Sequence, residues 1–246
     1  MKLLTAAHQN SKLAKNQQFS QYLSAVLHLA PFTLSGFNVC PAASKGCAMA
    51  CLNTAGRGRF DNVQQARIRK TKMFFGHRQE FLAQLVRDIH ALSRKAFKLG
   101  KKPVVRLNGT SDIDWENVYL DNNNSVTIFD MFSNVQFYDY SKRAARFDKA
   151  KLPKNYYLIF SRSEVNETIA KRILLKGFNV AMVFASIPNK YKGIEVINGD
   201  THDLRFLEGY KGKIVGLKAK GKAKKDESGF VIHAESLQQM QNIKTA

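Results

Sequence analysis

Apolar and polar positions along this chain follow two different periods, and the change falls near Gly100. Upstream, the period is helical. In "NQQFSQYLSAVLHL" (16–29), Phe19, Tyr22, Leu23, Val26 and Leu27 recur at helical spacing, which predicts a helix ending before Pro31. "FTLSGFNV" (32–39) then predicts a short strand leading into Cys40. Residues 62–99 read as mainly helical: Phe74, Phe75, Phe81, Leu82, Leu85, Ile89 and Leu92 form an apolar stripe that stops at Gly100. Downstream, short β-rich runs recur at 103–112, 135–142, 156–164, 178–186, 194–200 and 213–221, each ending in polar or glycine-bearing residues. Between two of them, "NETIAKRILLKG" (166–177) predicts a helix with a glycine end. Several runs are apolar on both faces, as strands inside a parallel sheet are. The pattern predicts an α/β fold: a partial or complete (β/α) barrel with a mainly parallel sheet and an N-terminal helical segment. The alternative is an open doubly wound sheet.

Composition narrows the picture. The chain has 246 residues, 44% of them hydrophobic and 11% aromatic, which fits a folded protein rather than a disordered one. We expect a single α/β domain over 1–246, with a helical extension at 1–30 and a basic loop region at 211–229. No apolar run approaches the roughly 18 residues that would span a bilayer. The N-terminus is too polar after residue 7 for a signal peptide, so the expected location is the cytoplasm.

Charge adds a partner class. Lys+Arg number 39 against 19 Asp+Glu, a formal net charge of +20. The stretches 57–72, 87–102, 142–154 and 211–225 hold 25 of these basic residues, with only Asp61, Asp88 and Asp148 as acids. Such an excess points to a polyanion, most simply nucleic acid; the competing reading is an over-charged solvated surface. The candidate phosphate contacts are Arg57, Arg59, Lys142, Arg143, Arg146, Lys218, Lys220, Lys222, Lys224 and Lys225.

The candidate chemistry lies at the predicted strand ends. All three cysteines of the chain, Cys40, Cys47 and Cys51, fall within twelve residues as C-x6-C-x3-C. Clustered thiolates suit an iron–sulfur cluster or zinc, the latter completed by His77 or His202; the bland reading is three small buried side chains. In "RLNGTSDIDWE" (106–116), Asn108, Gly109, Thr110 and Ser111 form a permissive turn whose amides can hold a small molecule. Asp112, Asp114 and Glu116 offer carboxylates for a divalent metal, or the stretch is an ordinary capped turn. "FYDYSKRAARF" places Asp139 between aromatics, where a base could stack, ahead of Lys142, Arg143 and Arg146. Ser161 and Arg162 end the next run, and Asp200 and Asp203 can bind ribose hydroxyls or cap a helix.

The stretches "LSGFNVCPAASKGCAMACLNTAGRG", "RLNGTSDIDWE", "VQFYDYSKR", "YLIFSRSE" and "GFVIHA" resemble, in the same order over most of 30–233, an uncharacterised family encoded by bacteriophages and plasmids. That resemblance implies a mobile element and a bacterial cytoplasm, and supplies no activity. More distantly, the chain resembles the radical S-adenosylmethionine (SAM) enzymes, whose usual cysteine spacing is C-x3-C-x2-C. This second resemblance implies a [4Fe–4S] cluster on Cys40, Cys47 and Cys51. Asn108, Gly109 and Thr110 would approach the methionyl amine, and Ser161 or Arg162 the ribose or carboxylate of SAM. The expected function is thus a radical-SAM-like enzyme acting on or near nucleic acid. The alternatives are a non-catalytic nucleic-acid-binding or host-takeover protein braced by zinc or a cluster, and a metal-dependent nuclease using Asp112, Asp114, Asp139 and Asp200.

Overall fold

The computed structural model of the protein describes residues 1–6, 21–148 and 150–233. Its frame is one ten-stranded sheet. In chain order the strands are β1 (Leu4–Ala6), β2 (Tyr22–Leu27), β3 (Lys102–Arg106), β4 (Gln136–Ser141), β5 (Tyr156–Ser161), β6 (Val180–Phe184), β7 (Lys190–Tyr191), β8 (Ile194–Asn198), β9 (Ile214–Lys218) and β10 (Val231–Ile232). The helices are α1 (Lys45–Met49), α2 (Asp61–Gly76), α3 (Arg78–Lys98), α4 (Ile128–Met131) and α5 (Glu167–Leu175). Spatial order is β1-β2-β3-β4-β5-β6-β9-β8-β7, with β10 also paired to β6. Only the edge pairs β1–β2 and β7–β8 are antiparallel. Every other pairing is parallel, so β2, β3, β4, β5, β6, β9 and β8 all point their carboxyl ends to one edge.

The sheet is open, so the complete barrel is not what forms: β1 and β7 are its two edges among the described residues. From β2 to β9 the strands lie side by side in the order in which the chain makes them, without the mid-sheet reversal of a doubly wound fold. The helical stripe over 62–99 is present as α2 and α3, which break at His77. The downstream runs form β3, β4, β5, β6, β8 and β9, and the helix expected at 166–177 is α5.

Two upstream expectations are corrected. The helix expected over 16–29 is a strand where it is described, Tyr22–Leu27; residues 7–20 lie outside the described part. The strand is hydrogen-bonded between β1 and β3 and buried from Ser24 to Leu27. A strand covered on both faces loses its alternation and so mimics a helix segment. The strand expected at 32–39 is a run of turns instead. Phe32 and Gly36 have φ of 49° and 90°, and N–H groups of Leu34, Gly36 and Val39 close back on Pro31, Thr33 and Phe32.

Side chains alternate between two cores across the strands. One face, with Val105, Leu107, Phe137, Leu158 and Phe160, packs on Phe81, Leu85, Ile89, Ala170 and Ile173 of the helices. The other, with Val104, Tyr138, Tyr157, Ile159 and Ala181, is covered by Leu204 and Phe206 from the β8–β9 connection. The β1 edge is fastened by Asp88 of α3, whose carboxylate accepts the N–H groups of Leu3 (2.6 Å) and Leu4 (3.0 Å). Lys70 donates to the Leu3 carbonyl at 2.6 Å; burial lowers its pKa to about 8, and Asp88 partly offsets that. Asp88→Ala is expected to destabilise the protein by about 1–3 kcal/mol, the cost of stranding buried donors. A fall in the urea midpoint at unchanged slope would bear this out, and an unshifted midpoint would count against the tether.

Candidate functional site

The turn after β3 is built around Asn108. Its side-chain oxygen accepts from Ser111 Oγ (2.8 Å), the Ile113 N–H (3.0 Å) and Trp115 Nε1 (3.3 Å), while its Nδ2 donates to the Ile113 carbonyl (2.9 Å). Asn108 and Ser111 are therefore spent on holding the turn. Gly109 is required by packing: a Cβ there would meet His28 Nδ1 at 2.5 Å and the Leu27 carbonyl at 2.6 Å. Thr110 Oγ1 donates to the Leu29 carbonyl at 2.5 Å. The turn thus seals the ends of β2 and β3 against each other.

Arg146 locks this turn to β4 and β5. Its buried guanidinium reaches Asp112 (3.0 Å), Asp114 (3.0 Å), Glu116 (2.7 Å) and the Tyr156 hydroxyl (2.9 Å). Arg143 pairs with Asp114 as well. Arg146, read as a phosphate contact, is instead internal, because three carboxylates of 112–116 converge on it; Arg143 is drawn to the same group. Tyr156 in turn donates to Asp139 (3.0 Å), whose other oxygen accepts the Asn108 N–H (2.6 Å). Asp139 is fully buried, and desolvation pushes its pKa up to about 7 against the pull of Arg106 and these hydrogen bonds.

The cysteine turn follows β2 and so lies at the carboxyl edge. It is fixed from two sides. On one, the Asp112 N–H donates to the Val39 carbonyl (2.8 Å), and the Cys40 thiol faces the Thr110 carbonyl at 3.8 Å. On the other, Glu164 after β5 accepts from Ser44 Oγ (2.8 Å) and the Gly46 N–H (2.7 Å), while Ser44 caps α1 by accepting from the Cys47 N–H (3.1 Å). The three thiols are free and half-buried. Burial pushes Cys40 up to about 12, and Cys51, the Asp112 carboxylate and Cys47 add to the rise. Burial also raises Cys51, with Cys47 adding to it, while the Asn53 N–H, Arg67 and Lys142 pull the other way.

Among the described residues, no three His, Cys, Asp or Glu side chains stand together as ligands of one metal ion. The two histidines considered for zinc are engaged elsewhere. His77 sits beside Glu80 at the exposed α2–α3 junction (3.6 Å), and His202 beside Arg205 (3.4 Å), where burial and that guanidinium lower its pKa to about 4.

The remaining candidates occupy the same edge without forming one cluster. Ser161 accepts from Lys142 Nζ (2.9 Å). Arg162 pairs with Glu167 (2.7 Å) and donates to the Gly229 and Phe230 carbonyls (2.6 and 3.1 Å). Asp200 holds Lys220 Nζ (2.6 Å) and the Lys218 N–H (3.1 Å). Arg57 and Arg59 are exposed on the turn Gly56–Arg59, and Lys222, Lys224 and Lys225 on the turn Gly221–Lys225. Sequence reading missed two features. One is Glu164 as a tether. The other is the buried set in which Asp203 meets Arg106 (3.2 Å), Tyr138 (3.0 Å) and Tyr140 (3.2 Å). The signal for the second was available: Arg106 follows the apolar run 103–105 and, buried there, has to find an anion.

Fold and site define an open, mainly parallel α/β protein with a tethered three-thiol turn at the carboxyl edge of its sheet. The chain belongs to the Gene product 88 family, whose model matches residues 2–234. No curated protein and no solved structure gives a significant match.

Two outcomes are expected. A carboxyl whose folded pKa lies above its unfolded value stabilises least once the pH exceeds the folded pKa. Asp139 therefore makes stability fall between about pH 4 and 7, by up to ~1.4 kcal/mol per pH unit. Asp139→Asn should flatten that slope in unfolding titrations; an unchanged slope would sink the assignment. Glu164→Ala removes a charge-assisted acceptor contributing about 1.5–3 kcal/mol, so iodoacetamide labelling of Cys47 and Cys51 should accelerate about tenfold or more. Unaltered labelling rates would show that Glu164 does not hold the turn.

Proposed function

We propose that this protein is an iron–sulfur-cluster enzyme of radical-SAM-like type that acts on or near nucleic acid. One observation carries the reading: the thiol-bearing turn follows the first strand of a parallel series laid down in chain order, β2-β3-β4-β5-β6-β9, at its carboxyl edge. A partial (β/α) barrel places its ligands there. The donor set suits the group. One segment offers three thiols, with the Asp112 carboxylate acting on Cys40 and the cations Arg67 and Lys142 acting on Cys51 to offset thiolate charge.

In this reading Cys40, Cys47 and Cys51 would hold the cluster, which with SAM would supply one-electron chemistry for hydrogen abstraction from a substrate. The chain's own part is to bind and orient. The Thr110 carbonyl, beside Cys40, is the acceptor for a methionyl ammonium. Asn108 and Gly109 hold the turn that presents it. Ser161, with Lys142 on it, is the hydroxyl-bearing pair facing the ribose side. Asp112, Asp114 and Asp139 are committed to Arg146, Asn108 and Tyr156, so a carboxylate-based nuclease is the less favoured reading.

Protein purified without oxygen, or reconstituted with iron and sulfide, is expected to be brown, with broad visible absorption. Each of Cys40→Ala, Cys47→Ala and Cys51→Ala should lose most of the iron, because ligand loss removes the binding free energy. A colourless protein holding zinc on the same cysteines would instead support a structural brace. Protein that takes up neither metal would overturn both.

A further inference from the structure

The basic residues that sequence reading scattered over two distant stretches meet in the fold, next to the cysteine turn. The turns at 52–59 and 221–225 are packed together: a Cβ on Gly221 would lie 2.9 Å from Ala55 Cβ and 3.4 Å from the Thr54 carbonyl. Beneath them, Ala50, Ala219, Ala223, Phe230 and Val231 form one small core that Cys47 joins. The outer surface of this junction carries Arg57 and Arg59 from one turn and Lys222, Lys224 and Lys225 from the other, all exposed. The same segment exposes apolar side chains that water does not favour: Met49 (60% exposed), Leu52 (47%) and Phe60 (50%). The Arg59 guanidinium lies over the Phe60 ring at 5.7 Å. Beside the track, a cavity of about 190 Å³ is lined by Lys218 and Lys224 over Ala185, Ala219 and Val231.

We propose that this junction is a binding track for single-stranded nucleic acid. Phosphates lie along Arg57, Arg59, Lys222, Lys224 and Lys225, one of them at the cavity between Lys218 and Lys224, and a base stacks on Phe60. The argument is one of complementary chemistry. A duplex presents phosphates but hides its base faces, so cations alone would serve it. An exposed ring set among cations matches a strand whose bases are unstacked, since stacking on aromatics is tolerant of sequence. Nothing in the set reads a 2′-hydroxyl, so DNA and RNA strands of equal length should bind alike. The inference rests on the nucleic-acid half of the proposed function and adds the strand state and the residues. The strand then runs past the cysteine turn, where the reaction would occur.

The test is anisotropy with labelled 20-mers of thymidylate and uridylate and a labelled 20-base-pair duplex, at about 50 and 200 mM salt. The single strands should bind at least about tenfold more tightly than the duplex. Phe60→Ala should weaken single-strand binding about five- to a hundredfold and leave duplex binding alone, and Phe60→Tyr should stay within about threefold of the parent. Replacing Lys222, Lys224 and Lys225 by Gln should flatten the salt dependence. The same change at Lys95, Lys98 and Lys101, around the end of α3, should not. Equal affinity for strand and duplex, or an indifferent Phe60→Ala, would overturn the track while leaving a nucleic-acid partner in place. Absence of all binding at low salt would overturn the nucleic-acid reading itself. Iron content, measured on the same variants, should be unchanged, which keeps the cluster reading separate.

Discussion

The buried guanidinium of Arg146 is the interaction on which the candidate site depends. It gathers Asp112, Asp114 and Glu116 from the turn after β3 and the Tyr156 hydroxyl from β5. Tyr156 passes the connection to Asp139, and Asp139 to the backbone of Asn108. A charged group of this kind costs several kcal/mol to desolvate, and removing one partner leaves the others stranded. The arrangement is therefore close to all-or-none. Either the turn at 108–116 is in place or the whole set is unsatisfied.

That rigidity is transmitted to the thiols by short contacts. Asp112 uses its backbone N–H to hold Val39, the residue before Cys40, and the Thr110 carbonyl meets the Cys40 thiol. Glu164 fixes the far side through Ser44 and Gly46, at the start of the helix that bears Cys47. A Cβ at Gly46 would lie 2.2 Å from Ser228 Oγ and 2.8 Å from the Glu164 carboxyl, so a larger residue there would displace the tether. Strand ends β3 and β5, which are separated by β4 in the sheet, thus grip opposite ends of one loop. The same segment continues to the exposed Arg57, Arg59 and Phe60, so the three thiols and this basic, aromatic rim share a backbone of about twenty residues from 40 to 60.

The downstream strands and α5 were legible because each is a bounded apolar run, and sequential βα units leave few topologies open. Strand β2 was not, since burial on both faces erases the alternation that marks a strand, and Tyr22, Leu23, Val26 and Leu27 also fit a helical face. The role of Arg146 was not legible either. Its basic neighbours pointed outward to phosphate, whereas its partners lie some thirty residues away and are brought to it only by the pairing of β3, β4 and β5. The meeting of 52–59 with 221–225 is hidden for the same reason: it depends on β10 returning to β6 beside the loop that follows β2.

The central proposal is that Cys40, Cys47 and Cys51 would act as one ligand set for a cluster that SAM can reach. The Mössbauer spectrum of iron-57-reconstituted protein, recorded with and without SAM, tests it most directly. The account predicts a four-iron cluster in which one site separates from the other three when SAM is added. Four sites unmoved by SAM, or iron bound without a cluster, would contradict it.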